Sequence, residues 1–335
     1  MTAKGPRGVK SLMDLAVGYQ RSMVLLSANR IGVFGALAGG PLSSEEVASS
    51  CGSQPRSTAM LLNACAALGL LSKDQERFSN RPLASRFLVP GKDTYLGNYL
   101  GLMEDGYEKW GHLGESVIEN RRASSPARDS GRDPQWNRRF TLAMRQGARA
   151  MARQVAKSVD LRGCRKLIDV GGGPGVFAME MVRRNPGLEA TVFDIPGVLE
   201  IAREIIEESG LKDRIHLQPG DYHKDSFGVG NDVVLLFGIL HSESLASRKR
   251  LLEKAWESLA PGGLVLVRQF LLEEDRAGPL EATLFSLQML LYTDSGEGYT
   301  WRDIESWLKE CNFVNPSRKL ISARRPYSLV LARKP

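Results

Sequence analysis

The stretch LIDVGGGPGVFAMEM, residues 167–181, runs a short apolar segment into an Asp and then into a turn in which four of five residues are glycine. Glycine loses more conformational freedom on folding than any other residue. A cluster this dense therefore marks a backbone that must turn tightly or come close to a ligand. Beyond the turn apolar residues recur at helical spacing. Strand, tight turn and helix in that order open an α/β unit.

The same rhythm continues downstream. KLIDV (166–170), EATVFDI (189–195), RIHLQPG (214–220), NDVVLLFGIL (231–240) and GGLVLVRQFLL (262–272) read as strands, most of them separated by helical segments. That alternation predicts a mostly parallel sheet with helices on both faces. NFVNPSRKLISA and YSLVLARK follow without a helix between them and predict a closing antiparallel hairpin.

Upstream the pattern is helical. SMVLLSANRIGVFGALAGG (22–40) reads as a helix ending at Gly39-Gly40, and Ser43 with Glu46 forms a capping box that opens a short one. SQPRSTAMLLNACAALGLL then reads as a third helix, followed by a hairpin through RFSN. Helix, short helix, longer helix and hairpin is the order of a winged helix. A recognition helix would carry basic and amide side chains on one face. Between Ser57 and Leu71 there is no Lys or Arg and only Asn63 as an amide, so pairing with a second chain is favoured over DNA binding.

The bulk properties agree. At 335 residues two domains are expected, and 42% apolar with 25% charged residues is ordinary globular composition. No apolar run approaches the roughly 20 residues that span a bilayer, and Asp14 interrupts the amino-terminal segment where a signal peptide needs apolar continuity, so a cytoplasmic location is expected. Cys51, Cys65, Cys164 and Cys311 form no CxxC pair, and His112, His216, His223 and His241 show no ligand spacing with them, so neither a metal nor a disulfide framework is expected. The formal charge of +7 reads as a solvated basic surface, since the densest run, NRRASSPARDSGRD (120–133), has loop composition.

What the glycines hold follows from the acids around them. As a dinucleotide fingerprint the turn is imperfect, because Val176 stands where Gly or Ala belongs, and no Lys follows to make a triphosphate loop. Asp169-x-Gly171-x-Gly173-x-Gly175 is the better description. Asp169, Asp194 and Asp221 end three successive strands, with Tyr222 beside the last. A carboxylate at the second strand end can accept both ribose hydroxyls of an adenosine, and one at the third can accept from an adenine amino group. Three acids would repel a pyrophosphate, so S-adenosylmethionine fits where NAD does not. Each acid has a plainer use, Asp169 as a helix cap and the other two in turns.

LIDVGGGPGVFAMEMVRRNPGLEATVFDIPGVLEIAREII, RIHLQPGDYHKD and ILHSES resemble the core motifs of the S-adenosylmethionine-dependent O-methyltransferases typified by the caffeic acid and acetylserotonin enzymes. The resemblance covers the whole chain. It implies a winged-helix dimerisation domain (1–95), connecting helices (96–155) and a Rossmann-like catalytic domain (156–335). It implies a cofactor site at Asp169, Gly171, Gly173, Asp194, Asp221 and Tyr222, a general base at His241 and a homodimer whose partner lends Tyr19 and Met23. The acceptor, an aromatic or polyketide-like molecule, would lie against FTLAMRQ and EATLFSLQMLLYT, where Phe140, Met144, Phe285, Gln288, Met289 and Tyr292 supply apolar and sulfur-bearing surface.

Two departures stand out. Ser242 follows His241 where the plant enzymes have Asp, and ungapped matching puts the base's two flanking glutamates at Arg268 and Gly298. These leave carbon or nitrogen methylation as an alternative chemistry. A nucleic-acid methyltransferase is disfavoured, since HSES (241–244) replaces the Asp/Asn-Pro-Pro-aromatic motif such enzymes need.

Overall fold

A computed structural model of the chain describes residues 8–123, 134–321 and 327–335. Most of the basic 120–133 run lies outside them. The described residues form two compact units, one reaching to Tyr107 and the other running from Glu108 to Pro335.

The first unit holds α1 (Val9–Ala16), α2 (Gly18–Ile31), α3 (Val33–Ala36), β1 (Leu42–Ser43), α4 (Ser44–Cys51), α5 (Pro55–Ala67), the hairpin β2 (Leu71–Asp74) and β3 (Arg77–Asn80), and α6 (Pro82–Phe87). The helix expected to run unbroken to Gly39 ends at Ile31. Gly32 caps it with φ of 88°, and the chain resumes in α3 and a short 3-10 turn. The capping box at the start of α4 forms as expected, with Ser43 Oγ accepting from the Glu46 amide and the Glu46 carboxylate from the Ser43 amide. Such caps contribute about 1 kcal/mol. The inward residues of α5, Thr58, Leu62 and Cys65, fill this unit's own core. Its exposed apolar side chains include Val9, Leu12, Met13 and Leu15 of α1, which buries none of its residues, and Met60 on the outward side of α5. α7 (Gly97–Gly111) carries the chain into the second unit.

That unit continues with α8 (Leu113–Glu119) and α9 (Pro134–Ser158), then β4 (Lys166–Val170), α10 (Val176–Arg184), β5 (Glu189–Asp194), α11 (Pro196–Glu208), β6 (Ile215–Pro219) and β7 (Asn231–Phe237). It ends with α12 (Leu245–Ser258), β8 (Leu259–Leu272), α13 (Leu280–Tyr292), β9 (Tyr299–Thr300), α14 (Trp301–Glu310), β10 (Val314–Leu320) and β11 (Tyr327–Arg333). Strand order is β10-β11-β8-β7-β4-β5-β6, with β9 paired to β8. β11 runs antiparallel to β8 and to β10, the expected closing hairpin, while β4 to β8 are mutually parallel.

Alternation along the strands makes two cores. Leu167, Val233, Leu235, Leu264, Leu266 and Leu329 face a cluster completed by α9, α10 and α11. Ile168, Val170, Val234, Leu236, Val265, Val267 and Val330 face one completed by α12 and α14. Strand order reverses between β5 and β7 on either side of β4, so loops leaving β4 and β7 diverge and open a crevice at their carboxyl ends.

Candidate active site

The glycine turn sits at that crevice. Gly171 has φ of 62°, and a Cβ there would stand 2.7 Å from Ile239 Cγ2, so glycine is required, while the Tyr222 ring lies in ordinary contact at 4.0 Å. These contacts bring the ends of β4 and β7 and the segment that follows β6 to one place. Gly173, with φ of 54°, donates its amide to Asp194 Oδ2 at 2.8 Å, and a Cβ on it would meet no atom within 4 Å, so the turn borders open space there.

The three acids differ in surroundings. Asp169 is 1% exposed and its carboxylate accepts from the amide of Ala178 near the start of α10. It lies beneath the turn, where a Cβ on Gly172 would stand 2.9 Å from its carboxyl carbon, and its Oδ2 is buried without a hydrogen-bond partner among the described residues. Burial first, and then the charge of Asp194, push its pKa up to about 7. Asp194 is half-buried and also takes the Ile195 amide at 2.8 Å; burial raises its pKa against the pull of these two amides. Asp221 accepts from the His223 amide at 2.9 Å and pairs with Lys224 at 3.0 Å, and the His223 amide is the larger cause of its lowered pKa. Tyr222 donates its hydroxyl to Glu243 at 3.0 Å, which fixes the ring beside Gly171. Acceptors for hydroxyl and amine donors beside an open, close-approach backbone suit S-adenosylmethionine.

His241 lies in a 3-10 turn just after β7. Its main chain is held from two sides: the Glu297 amide donates to His241 O at 3.0 Å, and the buried Arg248 guanidinium donates through Nε to Leu240 O at 2.9 Å and reaches the Glu297 carboxylate at 3.2 Å. The imidazole Nδ1 stands 3.0 Å from the amide oxygen of Gln269. With that oxygen as acceptor, the hydrogen sits on Nδ1 and the lone pair on Nε2. Burial, assisted by the charges of Arg268 and Arg248, brings the pKa down to about 4 in spite of the Gln269 bond, so the ring is neutral at physiological pH.

The residues flanking His241 are thus one position off those that ungapped matching suggests. Gln269, not Arg268, meets Nδ1. Glu297, not Gly298, backs the His241 main chain, while Gly298 donates its amide to Ser286. Neither nearby carboxylate serves the ring, since Glu243 takes Tyr222 and Ser247 and Glu297 takes Arg248. Strand alternation was the available signal: Gln269 shares a face with Val265 and Val267, the face toward the core that holds Leu240.

Aromatic side chains lie around His241. Phe285 meets His241 edge-on at 4.7 Å, Phe270 lies 5.1 Å from Phe285, and Tyr327 stacks on Phe270 at 3.8 Å. Phe270 and Tyr327 were not foreseen. On α13, Phe285, Gln288, Met289 and Tyr292 lie at helical spacing on one stripe, with Met289 buried and Tyr292 under the Lys109 ammonium at 4.4 Å. On α9, Phe140 stacks on Trp136 at 4.7 Å and Met144 is half-buried.

A doubly wound sheet with a glycine turn, strand-end acids and a neutral buried imidazole at one edge defines a nucleoside-dependent group-transfer enzyme. An O-methyltransferase domain model matches residues 110–314 and an O-methyltransferase dimerisation domain model residues 13–90. The chain is 35% identical to the 3-hydroxy-5-methyl-1-naphthoate 3-O-methyltransferase of Streptomyces sahachiroi, covering 92% of this chain and 90% of that one. It is 30% identical to the tetracenomycin polyketide synthesis 8-O-methyl transferase of Streptomyces glaucescens, with 98% of each covered. The structure of human N-acetylserotonin methyltransferase in complex with S-adenosylmethionine superposes with a TM-score of 0.89 at 31% identity, covering 100% of this chain and 99% of that one. The chain belongs to the O-methyltransferase family. It is an S-adenosylmethionine-dependent enzyme that methylates a hydroxyl.

Proposed function

We propose that the acceptor is a small aromatic or polyketide-like molecule and that His241 is the general base. The placement of His241 carries this reading: a neutral imidazole has its Nδ1 held by Gln269, which leaves Nε2 to accept a proton, and its ring meets Phe285 edge-on. The acceptors in the names of two relatives, a hydroxynaphthoate and a tetracenomycin polyketide, support the aromatic class.

S-adenosylmethionine supplies an electrophilic methyl group on a sulfonium. In this reading Asp194 accepts the ribose hydroxyls, Gly171 and Gly173 let the backbone meet the methionine end, and Asp221 with Tyr222 takes the adenine. Asp169 keeps the turn in shape from below. Phe285, Gln288, Met289 and Tyr292, with Phe140 and Met144 from α9, line the acceptor. The hydroxyl proton passes to Nε2 as its oxygen bonds the methyl carbon, and the carbon–sulfur pair remains on sulfur. General-base help of this kind is worth about 10²–10⁴-fold, and holding the acceptor in line supplies much of the rest. A homodimer built through the amino-terminal unit completes the proposal, supported by the dimerisation-domain match and by the exposed apolar face of α1.

The test is a panel of hydroxynaphthoates and anthraquinone phenols incubated with labelled S-adenosylmethionine, products being located by mass and NMR. The expected result is an aryl methyl ether whose rate of formation falls by about 10²-fold or more in His241→Ala. Label on carbon or nitrogen, or an undiminished variant, would refute it.

A further inference from the structure

We propose that Gln269 is the positioning residue of His241, and that by meeting the imidazole with a neutral amide it fits the site to hydroxyls that are already acidic, such as those of hydroxyquinones and acylphenols conjugated with a carbonyl. This rests on the O-methyltransferase reading of the site and names its substrate class.

The geometry separates two tasks that a carboxylate would perform together. Orientation is secured, because the Gln269 amide oxygen stands 3.0 Å from Nδ1 and sets which nitrogen keeps its lone pair. Charge support is missing. When Nε2 takes a proton the ring becomes a cation, and a carboxylate on Nδ1 would stabilise that cation where an amide dipole does so weakly. The groups around the ring add to the disparity. Arg268 on β8 and Arg248 on α12 both oppose positive charge on it, and α13 contributes the apolar edge of Phe285. Glu297 spends its carboxylate on Arg248, and Glu243, two residues along, on Tyr222 and Ser247. Burial strengthens every one of these interactions. The pKa of about 4 is in keeping with this arrangement.

A base whose conjugate acid is so disfavoured takes a proton readily only from an acidic donor. The proton leaves the hydroxyl for Nε2 during methyl transfer and passes to solvent afterwards, which restores the neutral ring.

The experiment uses the full chain saturated with S-adenosylhomocysteine and labelled with ¹⁵N-histidine, His241 being assigned by its loss in His241→Gln. In the wild type His241 should remain the neutral Nδ1–H tautomer across about pH 5 to 8, where an ordinary histidine titrates. Gln269→Glu should raise its titration midpoint by about one pH unit or more, as an opposite charge at hydrogen-bond distance does, and Gln269→Leu should mix the tautomers. Calorimetry on the same complex should show a hydroxynaphthoquinone bound about tenfold or more tighter than an unsubstituted naphthol, a preference that Gln269→Glu narrows. A wild-type midpoint near the ordinary histidine value, an unmoved midpoint in Gln269→Glu, equal binding of the two probes, or binding of neither overturns the inference. Failure of S-adenosylhomocysteine to bind would instead overturn the reading on which it rests.

Discussion

Asp169 and His241 are both pushed by burial toward their neutral forms, and the two displacements give the fold opposite pH dependences. For Asp169 the folded pKa of about 7 lies above the ordinary aspartate value of 3.8. Between them the folded chain holds a proton that the unfolded chain has released, so this group makes stability fall as pH rises through that window. Asp169→Asn should therefore raise the melting temperature at pH near 8, by an amount equivalent to roughly 2 kcal/mol, and the gain should shrink toward pH 5. A gain independent of pH would exclude the buried carboxylate as its source. For His241 the folded value of about 4 lies below 6.5, so the unfolded chain is the one that holds the proton, and stability falls as pH drops through that window. The matching kinetic expectation is a kcat/KM profile with no limb near pH 6.5 assignable to His241, tested by comparison with a His241→Gln variant.

At the scale of elements, the glycine turn and the segment after β7 are fixed by packing against each other. Gly171→Ala would place a methyl 2.7 Å from Ile239 and hold a non-glycine residue at φ of 62°. A loss of about 1–3 kcal/mol in urea unfolding is expected, together with weaker S-adenosylhomocysteine binding, because Ile239 must shift and it lies two residues before the base. Arg248→Leu should cost about 2–3 kcal/mol and lower kcat, since Leu240 O and the Glu297 carboxylate lose their donor. An unchanged melting temperature would show that the Glu297 amide alone holds the segment. The elements themselves were largely legible in the sequence. β4 and β7 are apolar runs bounded by turn residues, Ser43 and Glu46 are a local motif, and His241 falls at a strand end that places it without knowledge of tertiary contacts. What was not legible depends on register and depth. Whether Arg268 or Gln269 meets the base is decided by which face of β8 each residue occupies. The inward turn of Asp169 depends on its reach to the Ala178 amide, and the break at Gly32 on a left-handed residue inside an otherwise continuous apolar pattern.

At the scale of the whole molecule, two units have separate cores, and in the proposed reading the first serves assembly and the second the chemistry. The apolar residues of α1 that no part of its own unit covers, Leu12 and Leu15 among them, are the expected dimer surface. Leu12→Asp with Leu15→Asp should convert a dimer to a monomer in light scattering and leave S-adenosylhomocysteine affinity nearly unchanged, whereas a dimer that persists would place the interface elsewhere. The proposed cofactor site lies within the second unit, and its central feature is the carboxylate of Asp194 joined to the Gly173 amide at the end of β5. The most direct measurement is a calorimetric titration of S-adenosylhomocysteine into the wild type and into Asp194→Ala. Saturable binding that weakens by about 2 kcal/mol in the variant, as loss of a charged hydrogen-bond acceptor entails, is the expected result. No binding to the wild type, or equal binding to both, would contradict the assignment of this crevice to S-adenosylmethionine.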